Sequence, residues 1–139
     1  NANDDGATPH RARGTLEVYR TTNNVFEQED TQLSSNIIDG MVAAMQPYDA
    51  AANHRDRVGF DDKPAVSSDL YNGNTAEYHP VRTAYIEVEF IDFGANTTDK
   101  ADDAVDILLT GPNAGAVKTA IANAIRDSIL QDLRDQPQQ

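Results

Sequence analysis

The chain reads as one α+β domain, an antiparallel sheet packed on one face by two long amphipathic helices. Three observations predict this: period-two alternation over 15–22 and 84–90, apolar residues at helical spacing over 33–45 and 117–133, and Gly, Pro and Asn punctuation between them. A length of 139 residues fits a single core of ordinary size. The expected layout is a flexible arm over 1–14, the domain over 15–136 and a short tail over 137–139.

Each element follows from local pattern. The arm is Asn, Asp, Gly, Pro and Arg without apolar periodicity, and it carries Arg11 and Arg13. Leu16 and Val18 then alternate with Glu17 and Tyr19 as a half-buried strand that Asn23-Asn24 ends. Leu33, Ile37, Ile38, Met41, Val42 and Met45 recur at helical spacing, with Thr31, Ser34 or Ser35 as N-cap and Pro47 just beyond. Gly40 inside this helix costs about 1 kcal/mol relative to Ala, so either another backbone comes close there or packing overrides propensity. The polar stretch 48–63, with His54, Arg55, Asp56 and Arg57, fits no period and reads as a long surface loop.

The segment 64–71 reads as a short strand, and Asn72-Gly73 suits a tight hairpin. Pro80 places the return strand at an edge or a bulge. In the clearest strand, Ala84, Ile86, Val88 and Phe90 share one face, while Tyr85, Glu87 and Glu89 share a face expected to meet water or a polar partner. Thr98 or Asp99 caps a helix bearing Ala101, Ala104, Val105, Leu108 and Leu109, which Gly111-Pro112 stops. The last helix runs from about Ala114 to Asp135, its stripe being Val117, Ile121, Ile125, Ile129 or Leu130, and Leu133. These spacings predict one shared core of Leu33, Ile37, Met41, Met45, Ile86, Val88, Phe90, Ile121, Ile125 and Ile129.

Charge identifies an environment. Seventeen Asp and six Glu stand against eight Arg and three Lys, a formal net charge of -12. Such a surface repels itself at ordinary ionic strength, but the Debye length falls to about 3 Å at 1 M salt. Short acidic side chains expose little hydrocarbon, whereas each Lys stem is apolar surface that strong salt drives together. The composition therefore reads as halophilic rather than as an ordinary acidic mesophile, in which Glu and Lys usually dominate.

The same residues argue against most chemistry. Without Cys there is no disulfide, thiolate zinc site or cysteine nucleophile. No apolar run reaches a membrane span of about 18 residues. The segment after Asn1 lacks the basic and apolar regions of a leader, which leaves open an exported form already cleaved. Gly111 to Thr119 resembles a phosphate loop, but Ala116 and Val117 separate Gly115 from Lys118-Thr119, so consecutive N–H groups cannot wrap a phosphate. Asp99, Asp102, Asp103 and Asp106 fall on one side of a helix, a poor shape for Ca²⁺ and a good one for a solvated face. His10, His54 and His79 are isolated, and no nucleophile elbow surrounds any serine. Asn96-Thr97-Thr98 fits a glycosylation sequon, which matters only in an exported chain. No catalytic, cofactor-binding or metal-ligating residue is assigned, and no cofactor is expected. Direct nucleic-acid binding is disfavoured by the sign of the charge, although an acidic lining suits a passage through which DNA must slide.

From Thr31 onward the order of elements resembles the small neck and tail-terminator (tail-completion) proteins of tailed viruses. The segments that carry the resemblance are the helix 33–45, Pro64-Ala65-Val66 leading to Tyr71, the strand Tyr85-Ile86-Glu87-Val88-Glu89-Phe90-Ile91, and the helix 117–133. The strand over 15–22 and the helical piece over 99–109 depart from that pattern. The resemblance implies a homo-oligomeric ring, hexamer or dodecamer, between portal or connector proteins and the tail tube, through which DNA passes without specific binding. With the salt signature it implies the virion of a virus of a halophilic archaeon, assembled in the host cytoplasm. The competing expectation is a cellular protein of the haloarchaeal cytoplasm, a homo-oligomeric binding module or a small enzyme.

For the assembly reading the expected contact residues are Arg11, Arg13, Arg55, Arg57, Tyr71 and Tyr78. Guanidinium groups form short bidentate pairs with carboxylates that tolerate salt better than long-range attraction does. Folding itself is expected to need molar salt. Circular dichroism through a KCl titration from about 3 M to 0.1 M should show a falling melting temperature and loss of native signal, because screening shrinks as the Debye length grows.

Overall fold

A computed structural model describes residues 14–19, 26–55, 58–59, 82–89 and 106–135. Its elements are β1 (Leu16–Tyr19), α1 (Glu27–Met45), β2 (Val58–Gly59), β3 (Tyr85–Glu87), a π-helical turn (Asp106–Thr110) and α2 (Ala114–Asp135). The domain is α+β, with two long helices against a small sheet. The predicted strands at 64–71 and 75–80, most of the 99–109 helix, the arm and the tail lie outside the described residues.

β1 is the central strand. It pairs antiparallel with β3, Leu16 opposite Glu87, Glu17 opposite Ile86 and Val18 opposite Tyr85. On its other edge it pairs in parallel with β2, Val18 beside Val58 and Tyr19 beside Gly59. The polar stretch 48–63 is therefore not simply a loop. A parallel neighbour needs a crossover, and α1 supplies it, making β1, α1 and β2 one βαβ unit. The chain turns back after α1 through Asp49, whose carboxylate accepts the Ala51 N–H at 3.0 Å. Asn53 and Arg55 then bracket Thr15: Thr15 N–H donates to the Asn53 carbonyl and Arg55 N–H to the Thr15 carbonyl, both at 2.9 Å.

Gly14 opens β1 at a φ of +106°, where a side chain would be strained. A Cβ there would stand 2.6 Å from Arg55 Cγ and 2.8 Å from the Asn53 carbonyl oxygen. Its N–H donates to Glu89 Oε1 at 2.6 Å.

α1 starts earlier than the caps predicted. Phe26 is the N-cap without a side-chain bond, and Ser34 and Ser35 lie inside the helix. Glu27, Glu29 and Asp30 occupy the first turn, where carboxylates favour the positive end of the helix dipole. The Thr31 hydroxyl bonds the Glu27 carbonyl instead of capping.

The core lies between the helices and the sheet. Ile37, Ile38, Met41, Val42 and Met45 of α1 meet Val117 and Ile121 of α2 and Ala52, with Leu33, Ile86, Val88, Ile107, Leu108 and Ile125 packed around them. The Gly40 question resolves toward close approach: a Cβ there would lie 2.9 Å from Ser128 Oγ and 3.6 Å from Ala124 Cβ. Ser128 itself donates to the Asn36 carbonyl at 3.0 Å, tying α2 to α1. Phe90 lies outside the described residues. Ile129, expected in this core, is exposed.

Glu87 and Glu89 are buried rather than wet, and Glu89 meets a polar partner in the Gly14 N–H. Cross-strand partners point to one face, so Glu17 shares the helix side with Ile86, while Leu16 and Val18 share the other with Glu87 and Tyr85. All of Leu16, Glu17, Val18, Glu87 and Glu89 are nonetheless buried. Alternation assigned Ile86 and Val88 to the helix side correctly, but in β1 the apolar Leu16 and Val18 occupy the face away from the helices. Ile38→Ala should destabilise by about 2–5 kcal/mol in a denaturant titration, since Ile38 is fully enclosed. Leu133→Ala should change stability by less than about 0.5 kcal/mol.

Candidate assembly interface

Of the contact residues expected from sequence, only Arg55 lies among the described residues. It is half-buried, its Nη1 is enclosed, and its stem passes Gly14. That places Arg55 at the seam between the start of β1 and the turn after α1, where it serves the fold. Arg11, Arg13, Arg57, Tyr71 and Tyr78 fall outside.

Two residues that the sequence reading passed over set the position of α2. Arg82 grips Asp132 with both ends of its guanidinium, Nη1 to Oδ2 at 2.5 Å and Nη2 to Oδ1 at 2.9 Å. The same Nη2 donates to the Glu29 carbonyl at 2.6 Å. Next to it, Thr83 donates its N–H to Asp30 Oδ1 at 2.7 Å and its hydroxyl to Asp30 Oδ2 at 3.3 Å. Residues 82 and 83 thus fasten the first turn of α1, the entry to β3 and the last turns of α2 together. Asp30 and Asp132 are 2% and 8% exposed, so these carboxylates belong to the interior and not to the solvent-facing surface. A signal existed: Val117, Ile121, Ser128 and Asp132 continue one helical face through polar residues, whereas following apolar residues alone leads onto Ile129 and Leu133.

With Asp132 turned inward, the opposite side of α2 faces solvent. Ile129, Leu130 and Leu133 are 39%, 42% and 63% exposed. Arg126 and Asp127 lie beside them, paired at 2.8 Å and exposed, with Arg134 one turn beyond Leu130. Clustered aliphatic residues on one helix face, rimmed by charges of both signs, make this the candidate contact surface of the described residues.

Other candidates show less. His54 Nδ1 lies 2.8 Å from Asp39 Oδ1 at the surface. The turn before α2 closes by the Ala114 N–H to the Gly111 carbonyl, and a Cβ on Gly115 would meet nothing, so no tight cradle forms there. A shallow depression by Glu27, Gln28, Thr31 and Gln32 runs along the outer face of α1. Among the described residues no group of three or more His, Asp or Glu could hold a metal, and no helix is long and apolar enough to cross a membrane. Comparison with protein-family models, curated proteins and solved structures finds no match to this chain.

Asp132→Ala leaves the half-buried Arg82 guanidinium without its carboxylate and should cost about 1–3 kcal/mol in stability. Arg82→Lys should cost stability too, because an ammonium cannot span both carboxylate oxygens and the Glu29 carbonyl. Chemical denaturation at constant molar salt measures both.

Proposed function

We propose that this chain acts by assembly and is a structural subunit of the head–tail connector or the top of the tail in a tailed virus of a halophilic archaeon. In this reading it forms a ring that joins portal or connector proteins to the tail tube and leaves a passage for DNA. The observation that carries assembly is the exposed apolar face on the last turns of α2. Strong salt strengthens association of such surfaces, so a salt-adapted chain gains most by covering it. The viral assignment is supported by element order, since α1, β3 and α2 fall on the helix, strand and helix that carry the resemblance.

The measurement is mass in solution. Light scattering in about 3 M KCl, where surface charges are screened, should give a hexamer or dodecamer, and negative-stain images should show rings with a central opening. A monomer that binds a small ligand or turns over a substrate would replace this reading with the cellular binding module or enzyme.

A further inference from the structure

We propose that the exposed face of α2 docks against the same face of a second copy, the two helices running antiparallel about a two-fold axis near Leu130 and Gln131. The proposal rests on the chain acting by assembly, but not on the ring or on a viral origin.

A two-fold axis decides which residues of the two copies meet. In an antiparallel pair of identical helices, a side chain on one flank of the contact line meets the symmetry mate of a residue on its own flank, at the mirrored height. With 3.6 residues per turn and Leu130 on the contact line, Asp127 and Arg134 lie on one flank, at about 60° and 40°, while Ile129 and Leu133 lie on the other, at about 100° and 60°. One flank thus holds an acid with a base and the other an aliphatic couple, with Arg126 at about 40° on the aliphatic flank and paired to Asp127 of its own chain.

The heights agree as well. Asp127 and Arg134 are centred between Leu130 and Gln131, and Ile129 and Leu133 are centred on Gln131, so the two midpoints differ by about 0.8 Å along the axis. One dyad therefore sets Asp127 opposite the second copy's Arg134 twice over, Ile129 opposite its Leu133 twice over, and Leu130 against its own mate. Arg134 can pair with Asp127 of the other copy as a short guanidinium–carboxylate contact, the kind that outlasts molar salt. The apolar couples gain from that salt. No other described stretch combines a large aliphatic cluster with this self-matching charge order. Asp132, held inward by Arg82, fixes the rotation of α2 that presents the face.

Such a contact is isologous and closes as a pair. In a ring it would join copies across a dyad, in addition to the heterologous contacts that run around the ring.

Three readouts test the pairing in molar KCl. Asp127→Arg alone and Arg134→Asp alone should each place like charges across the dyad and raise the dissociation constant on the order of tenfold, while the double exchange returns it close to the starting value. Because the chain has no cysteine, Leu130→Cys should give a covalent dimer on mild oxidation, and Lys118→Cys on the same helix should not. Leu130→Asp should break the dyad contact and halve the mass of whatever assembly forms, with an unchanged circular dichroism spectrum. A double exchange no tighter than its single variants, single variants that bind as well as the starting protein, or Leu130→Cys that stays uncross-linked would each overturn the proposal. The two readings fail differently: loss of the ring alone leaves a cross-linkable dimer, and loss of the dyad alone leaves large oligomers without the cross-link.

Discussion

The seam between α1 and α2 is the constraint on which the rest of the structure depends. Ile37, Ile38, Met41 and Met45 can be enclosed only if α2 comes close, and Gly40 removes the side chain that would stand in the way of Ser128 and Ala124. The cost of a helical glycine is thereby offset by packing and by the Ser128 bond to the Asn36 carbonyl. With two helices locked at this distance, Ile86 and Val88 reach the same core from the sheet, and β1 is held in the middle of three strands.

A second, polar constraint works at the far end of that seam. Arg82 and Thr83 collect Asp132, Asp30 and the Glu29 carbonyl within one hydrogen-bonded patch. In a chain with seventeen Asp, these two are withdrawn from solvent and matched to donors. Interior acidity therefore has its own physical role here: it sets the angle at which helices and sheet meet. By turning Asp132 inward, the patch also leaves Ile129, Leu130 and Leu133 outside.

Much of the architecture was legible from pattern. The period of Leu33 to Met45, the alternation of Tyr85 to Glu89 and the stop signals at Pro47 and Gly111-Pro112 located α1, β3 and the start of α2, because local periodicity reports which side of an element is apolar. β2 was not legible, since two residues carry no period and their strand character comes from pairing with Val18 and Tyr19. The start of α1 was missed for a related reason: the helix begins at Phe26 without a side-chain cap, so capping residues misplace it.

The sequence by itself determined the α+β class, the apolar face of α1, the acidic composition and the lack of cysteine chemistry, all of which follow from composition and short-range spacing. Only the tertiary structure decided which acidic residues are interior and which aliphatic residues stay outside. Helical spacing places Ile121, Ile125, Ser128 and Asp132 as readily on the core side as Ile129 and Leu133. What breaks the tie is a partner distant in sequence, Arg82, whose guanidinium takes Asp132 in both arms and so chooses the rotation of α2. No local rule contains that choice, because it is made by a contact between residues 50 positions apart.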